Sequence, residues 1–545
     1  MGVYLNSKRP YTLFKSETVK PYFVDKSTIL EELFPLIREG NNYICLTRPR
    51  RFGKTVMANL IGAFLGKAQS SEDLFDALAI ASDPLYRQYL NRHDVIYIPF
   101  NEAPADCGHY DQYIRRIQKR LLRDLKSAYP QCAIDEEEAV WDALTDIYET
   151  QSDIRFVFIL DEWDYVFHQD FATDEDKEQF IAFLSRLLKD KPYVSLAYMT
   201  GILPIAKYSS GSELNMFVEF TMVSEAKFSD YFGFTEREVD MLFQRYLART
   251  PEPKVTRDGL RTWYDGYHTR SGERVYNPRS VVVSLTNDNL GNYWTSSGPY
   301  DEIFYYIEKN VAEVRDDLAS MVSGEAVPAK VREYAATSTN LQTKDEIFSA
   351  MVVYGFLSYE NGKVSIPNQE LMEKFADMLR KESSLGYVYR LAKESDRMLR
   401  ATLAGDGETM AEILSYAHDT EAPLMRYNNE GELSAIVNLV YLSARDSYDI
   451  QREDKAGIGY VDYIFYPKYD KSADCIIVEL KVDRTPEEAI RQIKERRYAL
   501  RFLGKLGEQP PYTGRILAVG ISFFKGSKRH LCKVEELRER KAGQP

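Results

Sequence analysis

The chain has 545 residues, of which 44% are hydrophobic and 28% are charged, so it can form several buried cores of ordinary composition. Its net charge of −13 argues against a protein that coats nucleic acid with its whole surface. Residues 421–545 carry 22 Lys and Arg against 19 Asp and Glu, so the last quarter is the part best suited to meet a polyanion.

The sequence pattern also argues against membrane, secreted and zinc-binding proteins. No run reaches the roughly 18–20 apolar residues that a membrane-spanning helix needs. Residues 1–20 are polar, so we expect no signal peptide. The five cysteines are far apart and form no CxxC pair, which argues against a disulfide framework or a zinc site. We therefore expect a cytoplasmic protein with reduced thiols.

The first 225 residues alternate apolar runs with helical patterns. Buried strands are predicted at residues 43–47, 95–100, 155–160 and 194–199. A helix is predicted at residues 56–64, and a basic amphipathic helix at residues 110–127. Strands interleaved with helices predict an α/β domain with a mainly parallel sheet over residues 1–225.

The remaining chain falls into two further regions. Residues 226–420 are predicted to be mostly helical, with Thr235 capping a helix that has Glu238 three places on, and with a hairpin that turns at Asn361-Gly362. Residues 421–545 form a second α/β region. Its predicted order is helix 433–444, strands 459–466 and 475–482, helix 486–502 and strand 516–522.

A phosphate-binding loop is predicted at residues 47–55 (TRPRRFGKT), between a buried strand and a helix. Such a loop presents backbone N–H groups at a helix N-terminus to the phosphates. A Lys then reaches the β- and γ-phosphates, and a Ser or Thr hydroxyl binds Mg²⁺. Gly53, Lys54 and Thr55 fill these positions, but Arg48 stands where the usual pattern begins with glycine. The alternative is a basic turn that caps a helix.

Polar residues at two other strand ends support a nucleotide site. Asp161 and Glu162 follow an apolar strand, so Asp161 can hold Mg²⁺ through water and Glu162 can polarise the attacking water. Thr200 follows the next strand and could sense the γ-phosphate, although an ordinary turn at Thr200-Gly201 is the alternative. We therefore predict a site for ATP and Mg²⁺. The residues assigned to it are Arg50, Arg51, Phe52, Gly53, Lys54, Thr55, Val56, Asp161, Glu162 and Thr200.

Several ordered motifs resemble the AAA-ATPase-like family, whose members typically carry a C-terminal PD-(D/E)XK nuclease-like domain. They are residues 22–26 (YFVDK), 48–55 (RPRRFGKT), 160–162 (LDE), 200–206 (TGILPIA), 263–267 (WYDGY) and 276–278 (YNP). The resemblance spans nearly the whole chain. It implies that the form with Arg48 is a normal variant of the loop and that residues 22–26 lie near the nucleotide base. It gives no role to residues 263–267, for which an aromatic packing turn is the alternative.

The C-terminal region suggests a metal-dependent nuclease site. Metal-dependent cleavage of a phosphodiester needs carboxylates for Mg²⁺ and a cation that orients water or stabilises charge. Asp462 lies on one predicted strand, and Glu479 and Lys481 share one face of the next. Gln492 lies on the following helix, and Glu432, at the start of the preceding helix, could be a further metal ligand.

The order of these elements is similar to the PD-(D/E)XK core, so we expect a restriction-endonuclease-like fold. Tyr460 departs from the family pattern, because many relatives have Arg at that place beside Asp462. The metal ligands Asp462 and Glu479 are unaffected by this departure.

The sequence thus predicts an ATPase coupled to a Mg²⁺-dependent nuclease that acts on nucleic acid, with DNA favoured over RNA. The alternative is a nucleotide-switched module that binds nucleic acid or protein without cutting. A plain ATPase with an inactive C-terminal region is a third interpretation. AAA-type enzymes often take an arginine from a neighbouring subunit, which makes a homo-oligomer the assembly to test, but the sequence assigns no residue to that role.

Overall fold

The first strands of the chain form one parallel sheet in the computed structural model, with the order β2-β3-β4-β1-β5. Their bounds are β1 Asn42–Thr47, β2 Asp94–Pro99, β3 Phe156–Asp161, β4 Val194–Gly201 and β5 Val218–Phe220. The four predicted strands and their parallel arrangement are confirmed, whereas β5 was missed because three residues give too short a pattern. All five strands end at the same edge of the sheet, which places their last residues together.

The structure describes residues 2–104, 107–135, 137–151, 154–205, 213–223, 226–294, 301–332, 341–421, 430–456, 459–502 and 512–538. The chain divides into two compact units. The first is Met1–Lys309 with Pro328–Leu371, and the second is Asn310–Val327 with Met372–Pro545.

Helices pack on both faces of the parallel sheet because their apolar stripes need to be buried. They are α1 Arg9–Thr18, α2 Ile29–Glu39, α3 Lys54–Leu65, α4 Glu72–Phe75, α5 Tyr86–Tyr89, α6 Tyr110–Ala128, α7 Val140–Thr150 and α8 Asp174–Leu188. Helix α3 is buried almost all round, with Leu60, Ile61 and Phe64 in the main apolar core. This burial fixes the position of the loop that leads into α3.

The rest of the first unit is mostly helical. Its helices are α9 Glu236–Arg249, α10 Arg257–Tyr264, α11 Pro278–Asn287, α12 Asp301–Ile307 and α14 Lys344–Val353. Short strands are β6 Phe234–Thr235, β7 Tyr267–His268, β8 Arg274–Tyr276, β9 Val327–Pro328, which starts in the second unit, β10 Ser358–Glu360 and β11 Lys363–Ser365. The predicted capping box is confirmed, because Thr235 and Glu238 exchange side-chain and backbone hydrogen bonds. The hairpin turn is confirmed as well, with positive φ at Asn361 and Gly362.

The second unit contains a mixed sheet with the order β12-β13-β14-β15-β16, in which only β14 and β15 run parallel. Its strands are β12 Tyr448–Ala456, β13 Gly459–Pro467, β14 Cys475–Val482, β15 Ile516–Phe524 and β16 Arg529–Arg538. The helices are α13 Val311–Val322, α15 Gln369–Lys381, which starts in the first unit, α16 Tyr387–Lys393, α17 Ser395–Ala404, α18 Gly407–Glu421, α19 Glu430–Val440 and α20 Pro486–Glu495.

The helix predicted at residues 486–502 is shorter than expected. It ends at Glu495, and a separate 3₁₀ turn follows at Tyr498–Phe502. Arg497 between them has a φ of 55°, a left-handed conformation that interrupts a right-handed helix. Within the described ranges, none of the helices combines the length and the apolar composition needed to cross a lipid bilayer.

Candidate functional site

The predicted phosphate-binding loop joins the end of β1 to the start of α3. Gly53 caps the helix with a φ of 92°, and Arg51 has a φ of 72°. A Cβ added to Gly53 would meet no atom within 4 Å, so the left-handed backbone, rather than lack of space, favours glycine there. The loop thus turns into the helix with the first amides of α3 at its N-terminus, where they are available to an anion.

Lys54 folds back across this loop. Its Nζ donates to the carbonyl oxygens of Arg48 and Pro49, both at 2.8 Å. The side chain is buried, and burial lowers the pKa of Lys54 to about 8 even though Asp164 and Glu162 act in the opposite direction. Because burial disfavours the charged form of Lys54, a negatively charged ligand beside its ammonium group would stabilise that form.

Asp161 lies at the end of β3 and is 1% exposed. The Thr200 hydroxyl donates to its Oδ1 at 2.6 Å. Burial raises the pKa of Asp161, and hydrogen bonds from Thr200 and Thr55 partly oppose this rise. The structure therefore brings together the hydroxyl of α3, the carboxylate of β3 and the threonine of β4 that were assigned to one site.

Glu162 directly follows and has a φ of 53°. Burial and the neighbouring Asp161 raise the pKa of Glu162, while a hydrogen bond with Asn101 opposes the rise. The left-handed backbone turns the chain sharply after β3, so the two carboxylates occupy different positions at the sheet edge.

Arg48 takes the place of the usual first glycine of the loop, and it is 2% exposed. Its guanidinium donates to the carbonyl oxygens of Thr47 at 2.7 Å and Phe220 at 2.8 Å, with a longer bond of 3.5 Å to Phe228. The guanidinium carbon lies 5.0 Å from the centre of the Phe232 ring. Arg48 thus joins β1 to β5 and to the chain that follows β5, which is a structural role.

The other residues of the loop differ in exposure. Arg51 and Thr55 are exposed, whereas Phe52 is 1% exposed. Partial burial and the positive charges of Arg279 and Arg50 lower the pKa of Arg51. Arg279 was not predicted, and it adds a cation from α11 to those of the loop. Among the assigned loop residues, Val56 lies on the first turn of α3 and is 36% exposed.

Asp164 is a second residue that was not predicted. It is 3% exposed and accepts hydrogen bonds from the backbone N–H groups of Ile202 and Leu203, both at 2.9 Å. Burial opposes its ionisation, but bonds from His168 and these N–H groups prevail and lower the pKa of Asp164. Asp164 therefore fixes the chain after Thr200 to the turn after β3. The only sign of this role in the sequence is that a further carboxylate follows Glu162 two residues later.

The segment 22–26 packs against helices of the same unit. The Tyr22 hydroxyl donates to the carbonyl oxygen of Leu285 at 3.3 Å, and Lys26 forms an ion pair with Glu238 at 2.6 Å. These contacts join the segment to α11 and α9. Its proximity to a nucleotide base stays a prediction.

In the second unit, Asp462, Glu479 and Lys481 converge where β13 pairs with β14. Tyr463 and Val478 are paired, so Asp462 and Glu479 are neighbours across the antiparallel strands. Asp462 Oδ2 accepts the backbone N–H of Leu480 at 2.7 Å. Lys481 Nζ donates to Glu479 Oε1 at 3.1 Å and to the carbonyl oxygen of Leu480 at 2.8 Å.

Glu479 has an unusual environment for a carboxylate. It is 3% exposed, and burial together with Asp462 raises the pKa of Glu479 to about 7, although Lys481 acts in the opposite direction. Gln492 on α20 donates to Oε1. The other carboxylate oxygen of Glu479, Oε2, is buried and has no hydrogen-bond partner among the described residues. A bound cation would provide that oxygen with a partner, so the donor set fits a metal ion.

The preceding helix contributes Glu430, which was not predicted. Its Oε1 lies 3.5 Å from Lys481 Nζ, and the helix starts at this residue. The side chains of Glu432 and Tyr460, by contrast, lie outside the described residues. Over the described ranges, no group of three or more His, Cys, Asp or Glu side chains is arranged to hold a metal ion. Mg²⁺ often takes only one or two protein carboxylates and completes its shell with water and phosphate, so the pair of Asp462 and Glu479 is sufficient.

The comparisons with known proteins match both units. Residues 14–210 match the family model described as a predicted AAA-ATPase, and residues 428–533 match the PD-(D/E)XK nuclease superfamily. No curated protein matches the sequence. Among solved structures, the Walker-type ATPase PABY2304 of Pyrococcus abyssi is similar at 12% identity with a TM-score of 0.36, covering 64% of this chain and 94% of that one. The ORC2 protein of Aeropyrum pernix, solved as ADPNP–ADP complexes, is similar at 11% identity with a TM-score of 0.30, covering 69% and 95%. The chain therefore combines an AAA-ATPase-like domain with a PD-(D/E)XK nuclease superfamily domain.

Proposed function

We propose that the first unit binds and hydrolyses ATP with Mg²⁺, and that this reaction controls a Mg²⁺-dependent nuclease in the second unit whose favoured substrate is DNA. The observation that carries the proposal is the hydrogen-bonded cluster of Thr55, Asp161 and Thr200 beside the buried Lys54. These four side chains come from the three elements that end or begin at one edge of the sheet. Their chemistry matches what phosphoryl transfer requires.

Each residue of the ATPase site has a distinct task. Mg²⁺, when bound, neutralises charge on the phosphate oxygens, and Thr55 and Asp161 would hold it. Lys54 places its positive charge beside the terminal phosphates. Glu162 accepts a hydrogen bond from the attacking water and polarises it. Thr200, whose hydroxyl donates a hydrogen bond to Asp161, senses the terminal phosphate.

Arginines add positive charge near this site. Arg50 and Arg51 belong to the loop, and Arg279 on α11 is close enough to Arg51 to help lower its pKa. Like charges repel at short range, so a polyanion between them removes an electrostatic cost as it binds. This arrangement supports a triphosphate ligand.

The nuclease site is smaller but has the parts that hydrolysis of a phosphodiester needs. Asp462 and Glu479 would hold Mg²⁺, which supplies positive charge at the phosphate when bound. Lys481 donates a hydrogen bond to the attacking water or the phosphate oxygen. Gln492 fixes the orientation of Glu479 by donating to one of its oxygens.

Nucleotide titration tests the ATPase part. Fluorescent ATP should bind with saturation, and Lys54→Ala should abolish binding. Lys533→Ala is a suitable control, because Lys533 is an exposed lysine whose partner Glu487 lies on α20. Absence of saturable binding by the parent protein would refute the proposed site.

Plasmid cleavage tests the nuclease part. With Mg²⁺ and ATP, the parent and Lys533→Ala should cut plasmid DNA, whereas Asp462→Ala and Lys481→Ala should not. Equal cleavage by all four proteins would indicate a contaminant and contradict the assignment. Retention of labelled DNA without any cleavage would instead support the nucleotide-switched binding module. Replacing ATP by ADP shows whether nucleotide state controls cleavage.

A further inference from the structure

The aromatic motif at residues 263–267 contacts the phosphate-binding loop through its last residue. Tyr267 is 2% exposed, and its ring lies edge-on to the ring of Phe52, with centroids 5.0 Å apart and planes at 86°. Phe52 directly precedes Gly53 in the loop. One end of the loop therefore rests against Tyr267.

Tyr267 is also linked to the start of the loop through Gly355. Its hydroxyl donates to the carbonyl oxygen of Gly355 at 3.1 Å. Gly355 has a φ of 82°, and a Cβ there would lie 2.6 Å from Cβ of Pro49. The carbonyl oxygen of Pro49 in turn accepts the hydrogen bond from Lys54. Tyr267 therefore holds the chain that packs against the start of the loop.

The neighbouring glycine explains how Tyr267 comes to this place. Gly266 has a φ of 103°, and a Cβ there would lie 2.0 Å from the carbonyl oxygen of Pro367. Only glycine fits such a close approach of two backbone segments. The preceding Asp265 is buried and lies 3.4 Å from a nitrogen of Arg274, which fixes β7 to β8. The motif is thus built to place one tyrosine.

We infer that Tyr267 is a positioning residue for the nucleotide, an inference that rests on the proposed ATP site. Tyr267 touches Phe52 directly and Pro49 through Gly355, so it supports the loop at two points. A loop whose amides are held in the binding conformation loses less entropy when a phosphate arrives. Loss of this support should weaken ATP binding although no contact to the ligand is removed.

Two matched pairs of variants test the inference. Tyr267→Phe removes only the hydroxyl, and its control is Tyr193→Phe, because Tyr193 is equally buried and donates to the carbonyl oxygen of Leu187 at 2.7 Å. Gly355→Ala introduces a clash with Pro49. Its control is Gly362→Ala in the turn between β10 and β11, where φ is 80° but no atom lies within 4 Å of the added Cβ.

We expect Tyr267→Phe to bind fluorescent ATP about threefold to tenfold more weakly, the factor that corresponds to one lost hydrogen bond. Gly355→Ala should bind it at least about tenfold more weakly. Both controls should keep the parent affinity, because Tyr193→Phe loses a comparable buried hydrogen bond and Gly362→Ala has a comparable positive φ, while neither change touches the loop. A purely structural role of Tyr267 predicts instead that all four variants keep the parent affinity.

The outcomes separate this inference from the proposed function. If the parent protein does not bind ATP, the proposed function fails. If the parent binds and Lys54→Ala does not, but Tyr267→Phe and Gly355→Ala bind as tightly as their controls, the positioning role of Tyr267 is wrong while the ATP site stands.

Discussion

Replacing Arg48 by glycine tests whether the loop depends on a buried arginine for its stability. The change restores glycine to the slot where the usual phosphate-binding pattern has it. From the sequence pattern alone, no loss of stability is expected. The structure predicts a large loss of stability, because Arg48 is buried and its guanidinium donates hydrogen bonds to the carbonyl oxygens of Phe220 and Phe228.

The magnitude follows from the bonds that disappear. Hydrogen bonds from a charged donor contribute about 1.5–3 kcal/mol each, and those that Arg48 donates to Thr47 and Phe220 are short. Glycine also leaves the carbonyl oxygens of Phe220 and Phe228 without this donor, and it removes the contact with the Phe232 ring. We expect the free energy of unfolding to fall by about 4 kcal/mol.

Urea denaturation followed by tryptophan fluorescence measures this change. A loss of about 4 kcal/mol shifts the midpoint of the transition to lower urea by about 1 M or more. The control is Arg51→Gly in the same loop. Arg51 is exposed and has a φ of 72°, so glycine should change stability by no more than about 1 kcal/mol, in the stabilising direction. If Arg48→Gly and Arg51→Gly had the same midpoint, the assignment of Arg48 as a structural link would be refuted.

Three further predictions concern single residues. Glu162→Gln should bind ATP like the parent but release phosphate at least about 100-fold more slowly, and equal rates in a phosphate-release assay would contradict its role with water. Gln492→Ala should lower plasmid cleavage about 10-fold to 100-fold while DNA retention in a gel stays unchanged, because only the orientation of Glu479 is lost. Burial lowers the pKa of His93 to about 4, so below pH 6.5 the unfolded chain binds a proton that the folded chain does not. The free energy of unfolding should therefore fall by about 3 kcal/mol between pH 6.5 and pH 4 because of His93. Urea titrations should show that His93→Gln lacks this part of the pH dependence, and identical curves for the parent and the variant would contradict the prediction.

Features with a local cause could be predicted from the sequence. The strands β1, β3 and β4 are apolar runs bounded by polar residues, and burial on both faces of a parallel sheet requires such runs. The capping box at Thr235 needs only a residue three places away. Lys54, Thr55 and Asp161 could be placed in one site because strand ends of a parallel sheet lie at a common edge.

Features with distant partners could not be predicted. The partners of Arg48 at Phe220 and Phe228 are 172 and 180 residues away in sequence. The contact of Tyr267 with Phe52 depends on the packing of the helical part of the first unit. Glu430 lies near Lys481 because α19 begins there, and sequence patterns place helix starts with an error of a few residues. The strands β12 and β16 are edge strands rich in charge, which hides the alternation that marks a strand.

The hydrogen bonds of Lys54 set a limit on what the loop can select. An ammonium group has three N–H donors, and two of those of Lys54 are used by carbonyl oxygens of the loop itself. Among the described residues no third acceptor is bonded to this group, so one donor remains for a ligand. An anion that accepts a single hydrogen bond from Lys54 can bind without disturbing the turn. An anion that accepts two must first break the hydrogen bond of Lys54 to Arg48 or to Pro49. Discrimination among oxyanions is therefore left to the amides and arginines around Lys54, and the lysine supplies charge more than shape.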